Sequence, residues 1–458
     1  MVKSSTKVLI VLFAGVLMGA LDIAVIGPAI PSIQDGLSIS DRNIPWIFDI
    51  YVLFSLISAP LMGKLSDIYG RRLIYTMDLL IFAIGSVVVM ASPDFATILA
   101  GRAIQGFGAG GIFPVAAAVI GDTIPRQKQG SALGLIGAVF GLAFIIGPAV
   151  GGALLLLGWR WIFAVNLPFA AVLVYFALRI LPSDKQAGKV KFDWPGMILL
   201  IILLASFSYG INRIDASSFL QSITSLNVWP FIFLSLLIIP VFYRVQKKSP
   251  NPAIHLNLLR SRQLLFTYFI AFGAGLGELA TIYFPSLAKA AFGVTESTAS
   301  FMMIPLVFAL FIAAPVAGRI IDKAGSKLVI LIGIVLLITG LFVLALLKVN
   351  HVVFYGAGVL IGVGLAFLLG APLRYIMNNE TGQGERAAGQ SLLTIFTSTG
   401  QLFSAALMGA LVASKGGGIP GFDFAFLVLA FVSALLLVPA LGLKNKQQEA
   451  ATARKNNA

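Results

Sequence analysis

Charged side chains stand inside long apolar stretches of this chain, where charge is costly. Asp22 and Arg102 each lie within a long run of mostly apolar residues, and Glu278 lies within another. A carboxylate inside a membrane can bind and release a proton, and a buried guanidinium is its natural partner. Gln105 follows Arg102 by three residues, so on a helix both lie on one face. We therefore expect a site that couples proton or substrate binding to helix contacts.

The residues alone leave alternatives open for each carboxylate. Asp22 could be a permanently ionised structural partner of Arg102 instead of a proton carrier. Glu278 has a similar depth in its run, and it could bind protons or substrate or only form a polar contact between helices. Asp49 and Asp78 lie one turn inside the ends of their runs, which favours structural roles for both.

Composition identifies lipid as the solvent for most of the chain. The 458 residues are 59% hydrophobic and 11% charged, whereas a soluble domain carries about 25% charged residues. The absence of Cys and the presence of only two His exclude a disulfide framework and a zinc site. No phosphate-binding loop and no catalytic arrangement occurs, so we expect neither an ATP-driven pump nor an enzyme, and no cofactor.

Fourteen apolar runs are long enough to cross a bilayer, since a spanning helix needs about 20 residues. They are 8–31, 45–63, 73–92, 97–121, 131–157, 160–181, 194–213, 227–245, 263–289, 297–318, 327–348, 351–375, 387–413 and 422–443. The sequence thus predicts an all-α membrane protein. The first run is read as a retained helix and not a signal peptide, because it is long enough to span. The polar tail is expected to be disordered.

Lys and Arg are distributed unevenly between the two sides that this helix count defines. Twenty-five lie on the side of the N-terminus, six lie opposite, and Arg102 lies within a run. Positive charge collects on cytoplasmic loops, which predicts a multi-pass protein of the cell membrane with both termini cytoplasmic. Because the charge is spread over every loop on that side, it does not indicate nucleic-acid binding.

A charged turn bracketed by glycines occurs twice. The first charged turn contains Gly63, Asp67, Gly70, Arg71 and Arg72, and the second contains Gly318, Asp322 and Gly325. Matching Gly and Asp residues differ by 255 in number, and Gly130 and Gly141 match Gly389 and Gly400 with a difference of 259. Such a repeat predicts a duplicated membrane protein.

The position of the repeat predicts the domain plan. The first charged turn follows the second run and the second follows the tenth, so two extra helices separate two six-helix halves. We expect an N-terminal bundle at 1–183, a linker with two transmembrane helices at 184–250, a C-terminal bundle at 251–443 and a cytoplasmic tail at 444–458.

The charged turns could serve topology alone or a specific contact. Basic residues such as Arg71 and Arg72 hold a loop in the cytoplasm whatever their partners. Asp67 lies near the predicted start of the third helix, where the helix dipole favours an anion and a nearby Arg can pair with it. Its repeated spacing with glycine favours a specific contact.

Four segments resemble the fourteen-helix drug/proton antiporter branch of the major facilitator superfamily. They are 63–72, 21–31, 99–110 and 141–152. A fifth, 192–196, resembles the start of the inserted helix pair of that branch. The resemblance to the antiporter motif rests on Gly141, Gly147, Pro148, Gly151 and Gly152, whose small side chains and proline also favour close packing and bending.

The resemblance implies the major facilitator fold and a specific activity. That activity is proton-coupled efflux of hydrophobic or cationic drug-like compounds by alternating access. The first charged turn is implied to be a conformational latch in the outward-open state. The expected partners are a small-molecule substrate, protons and the lipid bilayer, with a monomer as the functional unit. An exporter of an endogenous lipid or metabolite is the alternative, and a non-transporting membrane receptor is a remote one.

Overall fold

The computed structural model describes residues 2–37, 46–183, 192–214 and 218–457. All regular elements in these ranges are helical. Thirteen described helical spans are long and apolar enough to cross a membrane. They correspond to thirteen of the fourteen predicted runs, so the all-helical membrane fold is confirmed, whereas the count of fourteen is not.

Among the residues that the structure describes, seven helices precede the predicted linker. They are α1 Val2–Leu37, α2 Trp46–Tyr69, α3 Arg71–Met90, α4 Phe95–Thr123, α5 Arg126–Leu155, α6 Arg160–Ala164 and α7 Asn166–Ile180. Helices α6 and α7 together form one span. The start of α4 is fixed by Asp94, whose carboxylate accepts the N–H of Thr97 at 2.8 Å, as is usual for an N-cap residue.

In the described residues after α7, fourteen further α-helices follow. They are α8 Trp194–Asn212, α9 Phe219–Ile223, α10 Trp229–Lys248, α11 Arg262–Ala280, α12 Phe284–Phe292, α13 Glu296–Phe301, α14 Ile304–Ala324, α15 Ser326–Leu346, α16 His351–Leu365, α17 Pro372–Glu380, α18 Arg386–Ser414, α19 Gly418–Leu435, α20 Leu437–Leu441 and α21 Lys446–Asn457. The predicted run 263–289 is interrupted by a 3-10 turn at Thr281–Tyr283. Pro285 has no N–H to continue the α-helical hydrogen bonds across this point.

The chain packs as two compact units. The first comprises Met1–Pro125, Val139–Phe192 and Gly382–Leu392, and the second comprises Arg126–Ala138, Asp193–Thr381 and Leu393–Ala458. The start of α5 thus belongs to the second unit, and the start of α18 to the first. The predicted domain boundaries stay a prediction, and residues 184–191, where the predicted linker begins, lie outside the described residues.

The two inserted helices α8 and α10 belong to the second unit and pack on each other. The rings of Tyr209 and Phe231 lie 4.5 Å apart between them. The carboxylate of Asp193 accepts the N–H of Gly196 at 3.1 Å and the Gln246 amide at 2.9 Å. One buried carboxylate therefore joins the start of α8 to the end of α10.

Neither charged turn is a loop. Helix α2 continues to Tyr69 and α3 begins at Arg71, so Gly70 alone joins them; Gly325 alone joins α14 to α15. Gly70 has φ 99° and ψ 149°, and Gly325 has φ 87° and ψ 172°, a region that essentially only glycine occupies. The predicted spans ended too early, at 63 and 318, because polar residues at a helix end change hydropathy without ending the helix.

The polar tail is not disordered, which corrects the expectation from its composition. It forms α21, whose Glu449 is buried and accepts hydrogen bonds from the hydroxyl and the N–H of Ser326. Arg126 Nη1 donates to the carbonyl of Ala450 at 2.8 Å. These contacts lie within the second unit. Hydrogen bonds to helix ends fix this segment without a large apolar face, which composition cannot reveal.

The two joining glycines provide a test of backbone strain. Gly70→Ala and Gly325→Ala should each lower the free energy of unfolding by about 1–3 kcal/mol, because alanine cannot adopt these dihedral angles without strain. Thermal unfolding of the detergent-solubilised protein measures this effect. Gly356→Ala is the matched control, since a Cβ there meets nothing within 4 Å; equal losses in all three variants would contradict the prediction.

Docking of α21 should depend on pH. Burial raises the pKa of Glu449 above its usual range, although hydrogen bonds from Ser326 oppose the shift. The part of the docking free energy that depends on Glu449 is then fully present below the usual pKa of Glu. It is lost as the pH rises through the raised pKa of the docked residue. Hydrogen exchange of α21, corrected for intrinsic rates, should show protection falling across that window.

Two variants of Glu449 control this experiment. Glu449→Gln keeps an acceptor for Ser326 without a titrating group, so its protection should not change across the window. Glu449→Ala should weaken docking by about 1–3 kcal/mol at low pH, because the donors of Ser326 lose their partner. The prediction fails if Glu449→Gln retains the pH dependence of the wild type.

Candidate proton-coupling and substrate site

Asp22 on α1 and Arg102 on α4 meet in the first unit. Arg102 Nη1 lies 2.5 Å from Asp22 Oδ2, and both side chains are fully buried. Arg102 Nε donates to the carbonyl of Ile47 at 3.2 Å, and its guanidinium carbon lies 4.2 Å from the centroid of the Tyr51 ring. A carboxylate, a carbonyl and an aromatic face therefore compensate the buried cation.

Polar side chains add hydrogen bonds to this ion pair, although Nη2 of Arg102 has no hydrogen-bond partner among the described residues. Asp22 Oδ1 accepts from Gln105 Nε2 at 3.2 Å and from Asn166 Nδ2 at 3.0 Å. Gln105 Oε1 accepts from Arg102 Nη1 at 2.9 Å, and Gln105 Nε2 also donates to Ser86 Oγ at 2.7 Å. Sequence analysis named three of these residues and missed Asn166 and Ser86. A lone amide in the apolar run of α7 is the signal that could have found Asn166.

The predicted antiporter motif packs against the helix of Asp22. All five of its residues lie in α5: Gly141, Gly147, Pro148, Gly151 and Gly152. A Cβ at Gly147 would lie 2.6 Å from the Cβ of Ala24, and one at Gly151 would lie 3.0 Å from the carbonyl oxygen of Val25. These two glycines let α5 approach α1 within one turn of Asp22.

Asp67 of the first charged turn binds the first turn of α18. Its carboxylate accepts the N–H groups of Ala387 at 3.2 Å and Ala388 at 2.9 Å, and it pairs with Arg71. Sequence analysis placed Asp67 near the start of α3, which is wrong. Because α2 continues to Tyr69, the carboxylate lies instead at the start of α18, where the helix dipole favours an anion.

The basic residues of the first charged turn also have specific partners. Arg71 Nε lies 3.0 Å from Asp122, and Arg386 Nη1 lies 2.5 Å from the other oxygen of the same carboxylate. Arg72 donates to the carbonyl of Leu181 at 2.6 Å, just beyond the end of α7. Asp122 and Arg386 were not singled out from the sequence, because their significance depends on a contact between distant segments.

The second charged turn repeats the contact of Asp67 within the second unit. Asp322 accepts the N–H groups of Gly130 at 2.8 Å and Ser131 at 2.9 Å, both in the second turn of α5. The bound residues, 130 and 131 here and 387 and 388 in the first turn, differ by 257 in number. This difference is not the 259 that relates the glycine pairs in the sequence, so the N–H donors of the two contacts do not occupy the positions that the glycines match.

Gly63 and Gly318 allow the same close approach in the two turns. A Cβ at Gly63 would lie 2.8 Å from the carbonyl oxygen of Ala387, and one at Gly318 would lie 2.9 Å from the carbonyl carbon of Gly130. A side chain at either position would push the two helices apart, so the glycines are needed for the Asp contacts that follow them by four residues.

Glu278 lies on α11 in the second unit and differs from Asp22 in its partners. Its Oε2 accepts from Gln401 Nε2 of α18 at 2.7 Å. Ser404 Oγ donates to the carbonyl of Leu276 at 2.7 Å, one turn away. Among the described residues Glu278 forms no ion pair. The side chain is half-buried, so this carboxylate is the less compensated of the two predicted ones.

Comparison with known proteins identifies the family. The model of the Major Facilitator Superfamily matches residues 12–379 and 264–457. The chain belongs to the major facilitator superfamily. The transporter is 34% identical over 401 residues to the uncharacterized MFS-type transporter YfiU of Bacillus subtilis, covering 85% of this chain and 77% of that protein. It is 28% identical to the multidrug transporter protein MdtP of the same organism, covering 91% and 77%.

Solved structures confirm the fold. The transporter superposes on the human organic anion transporter MFSD10 with a TM-score of 0.71 at 17% identity, over 95% of this chain and 99% of that one. The proton:xylose symporter XylE gives a TM-score of 0.68 at 15% identity, over 96% of each chain. Membership of the superfamily makes the protein a multi-pass secondary transporter of small molecules and not an enzyme.

A double-mutant cycle tests the interdependence of Asp22 and Arg102. Arg102→Met should cost about 3–5 kcal/mol of stability, because it leaves a buried carboxylate without its cation. The double variant Asp22→Asn/Arg102→Met should regain much of that loss, since no charge then remains in the pocket. Thermal unfolding in detergent measures the cycle, and strictly additive losses would show that the two charges do not depend on each other.

Proposed function

We propose that the transporter exports hydrophobic or cationic drug-like compounds in exchange for protons. The observation that supports this most is the buried network in which Asp22 joins α1, α4 and α7. Protonation of Asp22 removes the negative charge that Arg102 and Asn166 bind, so it weakens the polar connection among three helices. Binding of a proton at this residue thereby favours a different arrangement of the helices.

The names of two relatives as multidrug proteins support a drug-like substrate. Besides MdtP, the multidrug resistance protein 3 of Bacillus subtilis is 28% identical over 350 residues. The alternative, export of an endogenous metabolite, has support from the riboflavin transporter RibZ of Clostridioides difficile, 26% identical over 351 residues. A panel containing dye-like cations, neutral hydrophobic compounds and lipids separates these two substrate classes.

Glu278 fits the role of a cation-binding carboxylate in this proposal. Asp22 already has a buried cation as its partner, whereas the partner of Glu278 among the described residues is the amide of Gln401. A positively charged substrate or a proton would supply the compensation that Glu278 otherwise lacks. In this scheme Asp22 transmits proton binding to the helices, and Glu278 binds the proton or the substrate cation.

Both charged turns fit the role of conformational latches. Asp67 and Asp322 each bind backbone N–H groups near a helix start, and these bonds must break if those helix starts move. The excess of Lys and Arg on that side of the predicted topology supports a cytoplasmic location for both turns and both termini. The proposal includes the fourteen-helix antiporter branch, a cell-membrane location and a monomer as the functional unit.

Asp22→Asn should abolish transport driven by a pH gradient. The amide retains the shape of the neutral acid but cannot exchange a proton, so substrate binding and counterflow should persist without coupling. Inside-out vesicles or proteoliposomes measure this with a fluorescent cation. Asp35→Asn is the matched control, because Asp35 lies exposed on the same helix; unchanged pH-driven transport in Asp22→Asn would refute the carrier role.

Glu278→Gln tests the second carboxylate in the same assay. We expect about a tenfold loss of affinity for a cationic substrate, corresponding to about 1.4 kcal/mol, and little change for a neutral one. An equal loss for cationic and neutral compounds would instead indicate that Glu278 only supports the packing of α11 on α18.

A further inference from the structure

Asp78 on α3 is a buried carboxylate that neither the ion pair nor the charged turns use. Its exposed fraction is 0%. Within the described residues, neither of its carboxylate oxygens has a hydrogen-bond partner. The buried carboxylates of Asp22 and Asp67 and the half-buried one of Asp322 all accept several hydrogen bonds, so Asp78 differs from them.

Backbone and an apolar side chain lie against the carboxyl group of Asp78 on the side of α4 and α2. A Cβ at Gly111 of α4 would collide with Asp78 Oδ2, and it would lie 2.6 Å from the Cβ of Met62 on α2. Two hydroxyl groups close in sequence on α3 are engaged elsewhere, since Tyr75 donates to the carbonyl of Leu12 at 3.3 Å and Thr76 donates to the carbonyl of Arg72 at 2.7 Å. In the part of the chain that the structure describes, the carboxyl group thus lies between α2, α3 and α4 without a donor.

Charged groups on the surrounding helices lie toward the helix ends. Helices α2, α4, α6 and α7 pack against α3. Their charged residues, with those of α3 itself besides Asp78, are Asp49, Lys64, Asp67, Arg71, Arg72, Arg102, Asp122, Arg160 and Arg179. Arg71 pairs with both Asp67 and Asp122 at the first charged turn, and Arg102 pairs with Asp22. Among the described residues, none of these charged groups forms an ion pair or hydrogen bond with Asp78.

The position of Asp78 along α3 connects the two sites already described. Seven residues, or about 10 Å of helix, separate it from Arg71 in the first charged turn, and eight residues, or about 12 Å, separate it from Ser86 beside Gln105. A small cavity at the Arg71 end is lined in part by Ser66, Asp67 and Asp122. Asp78 therefore lies between this cavity and the network of Asp22.

We infer that Asp78 is a second proton-binding site, protonated in this conformation, and that it exchanges its proton when α3 and α4 separate at Gly111. An ionised carboxylate without donors in an apolar interior is far more costly than the neutral acid. Opening of the contact at Gly111 would admit water. Water would accept the proton and leave Asp78 as a carboxylate, which would bind a proton again before the contact closes. Proton binding at Asp78 is independent of the coupling role proposed for Asp22.

Infrared spectroscopy of the full-length transporter in lipid tests the charge state directly. At neutral pH the wild type should show a carbonyl stretch of a protonated carboxylic acid that Asp78→Asn lacks. Asp94→Asn is the control, because hydrogen bonds from Thr97 hold the pKa of exposed Asp94 below its usual range, so that group contributes no such band. Identical protonated-acid bands in wild type and Asp78→Asn would overturn the inference.

Proton flux per substrate in proteoliposomes tests whether the site exchanges its proton. Asp78→Asn should transport substrate with one proton fewer per cycle, and its thermal unfolding should match the wild type because the amide has the shape of the neutral acid. A lost infrared band with an unchanged flux ratio would show a permanently bound proton and overturn the exchange. Failure of Asp22→Asn to uncouple transport would refute the proposed function without changing the infrared result.

Discussion

Charge in an apolar interior is the constraint on which the rest of this transporter depends, since an uncompensated buried ion costs several kcal/mol. Two forms of compensation occur, and another carboxylate has none among the described residues. Asp22 has a guanidinium and two amides, Asp67 and Asp322 have backbone N–H groups, and Asp78 has no partner among the described residues. Each case sets a different condition for movement of the helices. An ion pair responds to protonation of its carboxylate, a contact to a helix start must break as a unit, and an acid without a partner must keep its proton.

The charged turns show how one short segment can both join and bind helices. A single glycine joins α2 to α3, which keeps Asp67 on a rigid helix one turn before the join. The carboxylate is therefore held where it meets the start of α18, and the preceding Gly63 makes room for that backbone. The same arrangement at Asp322 uses α5. Because each aspartate is held on a continuous helix, its distance from the preceding glycine is fixed. This explains why glycine and aspartate recur at the same spacing while the residues between them differ.

Hydropathy and charge were sufficient to predict thirteen spans, the duplication and the residues of the ion pair, because each leaves a local mark in the sequence. Contacts between distant segments leave none. Asn166 and Arg386 acquire their partners only when α7 and α18 pack beside α4 and α2, and α21 forms because Glu449 meets Ser326. Asp67 was assigned to the wrong helix start for the same reason, since hydropathy placed the end of α2 at Gly63.

The two halves of the repeat do not carry equivalent charges, although their charged turns match. Asp22 lies 15 residues before the end of α1, whereas Glu278 lies two residues before the end of α11. Among the described residues Asp22 has a buried cation beside it and Glu278 has an amide. Movement of α1 against α4 therefore has to break an ion pair that the apolar interior strengthens, whereas movement of α11 against α18 has to break one hydrogen bond from a neutral amide. The two carboxylates thus connect their helices with unequal strength, although the charged turns of the two halves match.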